Sequence, residues 1–159
     1  MTEFTTRLAN LDPGSFELLV NDLLYAEYGE MGRFLPYATV TGHTDGGFDA
    51  FFAGTVDGIR GEWAVSVKHT TVRRLDGSRL WDDIQRHPDR MWWVITNADI
   101  RPDAKIRTDL KTQAPGSRLD DVHRLDQLLR AHPVVARFHG LGDGRGDDLF
   151  SAVDGKAPS

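Results

Sequence analysis

The sequence predicts an α/β domain in which a mixed central sheet is flanked by helices. Three observations carry this. Phe16, Leu19, Val20, Leu23 and Leu24 recur at helical spacing and give one apolar stripe. Asp57-Gly58, a strong two-residue hairpin signal, separates two strand-like runs. "MWWVITN" (91–97) is apolar at nearly every position, as a strand covered on both faces must be.

In chain order, Asp12-Pro13 marks a helix start, an N-cap aspartate with proline at the first helical position, and Gly29 and Gly32 end that helix. Phe34 to Thr41 favours an extended chain. Residues 48–53 and 62–68 read as two strands around the Gly- and Asp-rich "GTVDGIRG". Ser78 caps a short helix, "RLWDDIQRH", closed by Pro88, and the apolar strand follows. Pro102 starts a helix through about Thr112, stopped by Pro115-Gly116. A short strand at Leu119–Val122 and helical segments at Asp126–Ala131 and Val134–Phe138 complete the order. Trp92 and Trp93 are expected in the core rather than in base stacking. Residues 1–139 therefore form the domain, and the Gly/Asp-rich 140–159 reads as a tail or linker, as at the front of a longer protein.

At 159 residues the chain holds one domain with a real core. It has no cysteine, which excludes disulfides and thiolate chemistry and leaves zinc only His and carboxylate ligands. No apolar run approaches the roughly 20 residues of a membrane span, and the first ten residues lack a signal-peptide pattern, so a cytoplasmic protein without a membrane partner is expected. Net charge is −5, but it is unevenly spread. Residues 1–59 carry two basic and nine acidic groups, whereas 60–111 carry eleven basic and eight acidic. That division suits a metal-binding edge beside a phosphate-contacting surface, and equally a mixed solvated surface.

The stretch "TGHTDGGFDAFF" (41–52) places a charge, Asp49, at the mouth of an apolar strand. If Asp57 and Gly58 form the hairpin tip, Val56 pairs with Ile59, and counting outward sets Asp49 opposite Ser66. Side chains alternate along a strand, so Ser66 and Lys68 share a face with Asp49. A carboxylate for a divalent cation beside a lysine suits phosphodiester hydrolysis: the lysine positions the nucleophile or stabilises the transition state. The alternative is a cross-strand Asp49–Lys68 ion pair, worth about 0.2–1 kcal/mol.

"DGGFDAFF" followed by "EWAVSVKHT" resembles the Mrr-like branch of the PD-(D/E)xK nuclease superfamily, whose members have the restriction-endonuclease-like fold. "SFELLVNDLL" (15–24) is similar to the branch's helix ahead of the strands, and "WWVITNADIRPDAK" (92–105) resembles its strand ending in Thr-Asn before a helix. The resemblance spans roughly residues 12–138. It implies a DNA endonuclease using Mg²⁺ or Mn²⁺, with Asp49 and Glu17 at the metal and Lys68 catalytic. It further implies a restriction or antiviral defence setting, with a homodimer or larger assembly and other domains or subunits supplying recognition. Asp45 and Gly46-Gly47 shape the turn that leads to Asp49. His69, Arg73 and Arg74 are candidate nucleic-acid contacts, with His43 and Arg79 nearby.

Ser66 departs from the pattern, standing where the superfamily has glutamate and this branch glutamine. Glu62 has the same parity but lies roughly 13 Å along the strand and cannot replace it. The alternative reading follows from Ser66: a catalytically inactive nuclease-fold module for nucleic-acid binding or assembly.

Overall fold

A computed structural model describes residues 3–36, 50–71, 82, 84–85 and 91–142. Helix α1 (Glu3–Asn10) is followed by α2 (Pro13–Tyr28), which begins at the extended Asp12 with proline in its first turn. Helix α1 was not anticipated. It is short and polar overall, and it forms because Phe4 and Leu8, one turn apart, are fully buried. Strands β1 (Gly32–Pro36), β2 (Ala50–Val56) and β3 (Ile59–Lys68) form an antiparallel meander. Strand β4 (Met91–Thr96) then pairs parallel to β3, and β5 (Arg118–Asp120) parallel to β4. The result is a five-stranded mixed sheet in the order β1-β2-β3-β4-β5. Helices α3 (Lys105–Gln113), α4 (Val122–Ala131) and α5 (Pro133–Phe138) complete the described elements. Of the expected helix at "RLWDDIQRH", residues 82, 84 and 85 are described, and all three are helical.

The β2–β3 turn is tighter than "GTVDGIRG" suggests. Asp57 (φ 51°) and Gly58 (φ 82°) alone make it, both in the left-handed region that a two-residue hairpin requires. Thr55 and Arg60, read as turn residues, are paired strand residues instead. Register runs from Val56↔Ile59 to Ala50↔Val65, as counting from the Asp57-Gly58 tip expects. Strand β5 also differs: it ends at Asp120, and Val122 already belongs to α4 because the Asp121 carboxylate accepts the His123 N–H (3.0 Å) and caps that helix.

Strand alternation gives the sheet two apolar faces. Trp63, Val65, Trp93 and Ile95 pack into the larger cluster with Phe16 and Leu19 of α2 and Leu125 and Leu129 of α4. Ala64, Trp92 and Val94 point the other way, against Leu110 and Ala114 at the end of α3 and against Ile84. Strand β4 is thus buried on both sides, and its tryptophans are core residues. Trp93 is central to the larger face. Its ring meets Tyr28, Phe52 and Trp63 edge-on at 5.1, 5.8 and 6.1 Å, and its Nε1–H donates to Asp120 (2.8 Å). Leu141, inside the segment read as a tail, is buried in the same cluster, and its carbonyl accepts from Arg7. Residues 143–159 lie outside the described residues.

Two outcomes test this architecture. Trp93→Ala should lower unfolding free energy by about 3–5 kcal/mol in urea, because it empties the aromatic cluster and strips a partner from Asp120. Gly58→Ala should cost about 1–2 kcal/mol through backbone conformation alone, since a Cβ there meets nothing within 4 Å. An unchanged urea midpoint in either variant would contradict the packing or the turn geometry.

Candidate active site

The parity that buries Trp63 and Val65 under α2 turns Ser66 and Lys68 toward the opposite face. The last described rung of the hairpin is Ala50↔Val65. Asp49 and Ser66 are the next positions in that count, and Asp49 lies outside the described residues with His43, Asp45, Arg73, Arg74 and Arg79. Of the expected site, the structure therefore describes Glu17, Ser66, Lys68 and His69.

Ser66 is fully buried, beside Val94 in the parallel ladder, and its Oγ has no hydrogen-bond partner among the described residues. A buried hydroxyl left without any partner costs about 1–3 kcal/mol. Lys68 is half-buried and ends β3 opposite Thr96.

His69 has a structural role at the strand's exit. Its ring packs tilted on Phe16 (centroids 5.0 Å apart), and Nε2 lies 3.0 Å from the Leu8 carbonyl, which fixes that nitrogen as the N–H donor. These contacts bring the end of α1 and the first turns of α2 to the end of β3. Glu17, next to Phe16 and half-buried, thereby stands at the same end of the sheet as Lys68. It approaches from the larger-cluster layer, whereas Ser66 and Lys68 belong by parity to the other.

The exits of the three parallel strands are tied together by groups to which sequence reasoning assigned no role. Asn97 binds Thr70 through both amide atoms (2.8 and 2.7 Å), joining the exits of β3 and β4. Asp121 accepts the Ile100 N–H (3.1 Å) besides capping α4, and faces the Arg107 guanidinium at 3.3 Å. Asp99, Asp121 and His123 offer three ligand atoms within 4.8 Å of one another, a set able to hold a divalent ion. Yet Asp121 is already neutralised by Arg107 and backbone N–H groups, and His123 pairs with Asp99 at 3.0 Å. The only sequence signal was the Asp-x-His spacing, which an N-cap explains equally well. A cleft of about 280 Å³ lies over α3 and β5, lined by Pro102, Arg107, Thr108, Lys111 and Ser117. Its arginine is bound to the carbonyls of Ile100 and Arg101 and so serves the loop before α3.

The unpaired hydroxyl makes Ser66 testable by stability alone. Ser66→Ala should raise unfolding free energy by about 1 kcal/mol, because it removes a desolvated hydroxyl to which the described residues offer no hydrogen bond. Loss of stability in chemical denaturation would mean instead that Oγ is satisfied in solution.

Comparison of the chain with family models, with curated proteins and with solved structures gives no match.

Proposed function

We propose that the chain is a metal-dependent endonuclease that hydrolyses phosphodiester bonds in DNA, with the restriction-endonuclease-like fold. The observation that carries this reading is the β2–β3 register. It puts Ser66 and Lys68 on one face at a strand's end and stops one position short of Asp49. The element order supports it too: a helix bearing Glu17, an antiparallel meander, then parallel strands. Ligand sites in parallel sheets favour the carboxyl ends of strands, where Lys68 lies.

The donors suit Mg²⁺ or Mn²⁺: carboxylate oxygens from Asp49 and Glu17, and a buried hydroxyl at Ser66 with no partner among the described residues. When bound, such an ion lowers the pKa of a coordinated water and neutralises charge gathering on the phosphate. Lys68 extends from a strand anchored on both sides, and its ammonium orients the attacking water or meets the charge that develops on phosphate oxygen. His69 holds the strand's exit against α1 and α2, while Arg73 and Arg74 contact the nucleic-acid backbone. We place the protein in the cytoplasm as the effector nuclease of a restriction or antiviral system, as a homodimer or larger assembly with recognition supplied by other domains or subunits. No described helix is long and apolar enough to cross a membrane.

A second reading is favoured by Ser66 itself. A neutral, fully buried side chain at the position of an acidic or amide ligand suits a nuclease-fold module that binds nucleic acid, or assembles, without cutting it.

Supercoiled plasmid, linear DNA and RNA incubated with Mg²⁺ or Mn²⁺ separate the readings. The enzyme should nick plasmid, and Asp49→Ala and Lys68→Ala should each slow cutting by at least ~100-fold. Equal residual cutting by all three proteins would indicate contamination and sink the catalytic reading. Salt-dependent DNA binding without cutting would establish the second, and cutting confined to RNA would overturn the choice of substrate.

A further inference from the structure

Strand β3 leaves its ladder with β4 after the Lys68↔Thr96 rung. Two residues later, at Thr70, a single side chain continues the pairing. The Thr70 N–H donates to Oδ1 of Asn97 (2.8 Å), and Nδ2 of Asn97 donates to the Thr70 carbonyl (2.7 Å). A planar amide that binds both polar groups of one residue does what a paired strand residue would do. Asn97 is only 6% exposed, so water competes poorly for either bond. The preceding residue turns the chain: Thr96 Oγ1 accepts the Ala98 N–H (3.1 Å), and the Ala98 carbonyl then accepts the N–H of Val122 at the start of α4. Asn97 thus projects from a segment held at both ends.

Lys68 is consequently bracketed. Its own rung with Thr96 fixes one side, the amide clamp at Thr70 fixes the other, and His69 between them is held by Leu8 and Phe16. A lysine stem has four rotatable carbons, and a strand end released from its ladder frays. Anchoring the backbone on both sides fixes the origin from which the ammonium reaches.

We propose that Asn97 is a positioning residue for Lys68, acting through the Thr70 backbone. Its catalytic consequence rests on the nuclease reading above, and its structural consequence does not. Asn97→Ala removes both bonds. Asn97→Asp keeps the acceptor for the Thr70 N–H but sets a carboxylate against the Thr70 carbonyl.

Two measurements on the full chain decide the matter: amide hydrogen exchange, and single-turnover cleavage of plasmid in Mg²⁺ with DNA affinity measured in Ca²⁺. In Asn97→Ala, exchange at Thr70 should quicken at least about tenfold while Val65 in mid-strand is unchanged. Cleavage should fall at least about tenfold with affinity preserved, and Asn97→Ala should add nothing to Lys68→Ala in the double variant. Unchanged Thr70 exchange overturns the clamp. Additive losses in the double variant, or a loss of affinity matching the loss of rate, overturn the link to Lys68. Should Asn97→Ala fail to fold, Asn97→Asp supplies the same comparison with one bond kept. A wild-type protein that does not cut overturns the nuclease reading and the catalytic half of this proposal together, while Thr70 exchange still decides the clamp.

Discussion

The two-residue turn at Asp57-Gly58 is the constraint on which the rest of the structure depends. Both residues adopt positive φ, and that geometry joins adjacent strand ends with no slack. Register follows at once, and with it the face on which every side chain of β2 and β3 lies. A slip of one residue would turn Trp63 and Val65 away from α2 and push Ser66 and Lys68 into the aromatic core. The burial of Phe52, Trp63 and Trp93 therefore enforces the same register from the other end of the hairpin. Turn chemistry and core packing agree, and their agreement places a lysine where the sheet opens.

That end of the sheet is then closed by polar groups rather than by more apolar surface. Parallel strands leave their exits without hairpin partners, so each exit must find hydrogen bonds elsewhere. Strand β3 finds them in Asn97, and the segment after β4 finds them in Asp121 and Val122. The Asp121 carboxylate serves a helix cap, a loop N–H and the Arg107 guanidinium together, so the start of α4, the approach to α3 and the exit of β4 are tied to one group. The rigidity that a positioned lysine requires is in this way a by-product of satisfying backbone groups.

What could be read from the sequence divides along the same line. The hairpin register, the doubly covered β4 and the body of α2 were legible, because each rests on local chemistry: a turn type, a run of apolar residues, a helical period. Strand lengths around the turn were underestimated because Gly54 and Gly61 carry little strand propensity and, with Thr55 and Arg60 between them and the tip, are held by their partners. Helix α1 escaped notice because it forms only against the core, through Phe4 and Leu8. Asp99 joins Asp121 and His123, and Asn97 joins Thr70, across more than twenty positions, and no local pattern announces either union. Thr96-Asn97 was visible as a motif, but its purpose became physical only once both amide atoms met one backbone residue.

The element that escaped sequence reading bears most heavily on the proposed chemistry. On the nuclease reading, Ser66 leaves one negative charge fewer where a divalent ion would sit, with Lys68 two residues along the same face. Asp49 alone would leave that ion poorly neutralised, and on the nuclease reading Glu17 is the candidate for the missing charge. Glu17 belongs to α2, and the first turns of α2 are held at the end of β3 by Phe16 against the His69 ring. His69 is in turn fixed by the Leu8 carbonyl in α1. On the nuclease reading, the chain of contacts from α1 through His69 to α2 sets how far Glu17, in the larger-cluster layer, stands from Ser66 and Lys68 on the other face. An N-terminal helix of eight residues, unremarkable by composition, thus helps hold the first turns of α2, and Glu17 with them, at the end of β3.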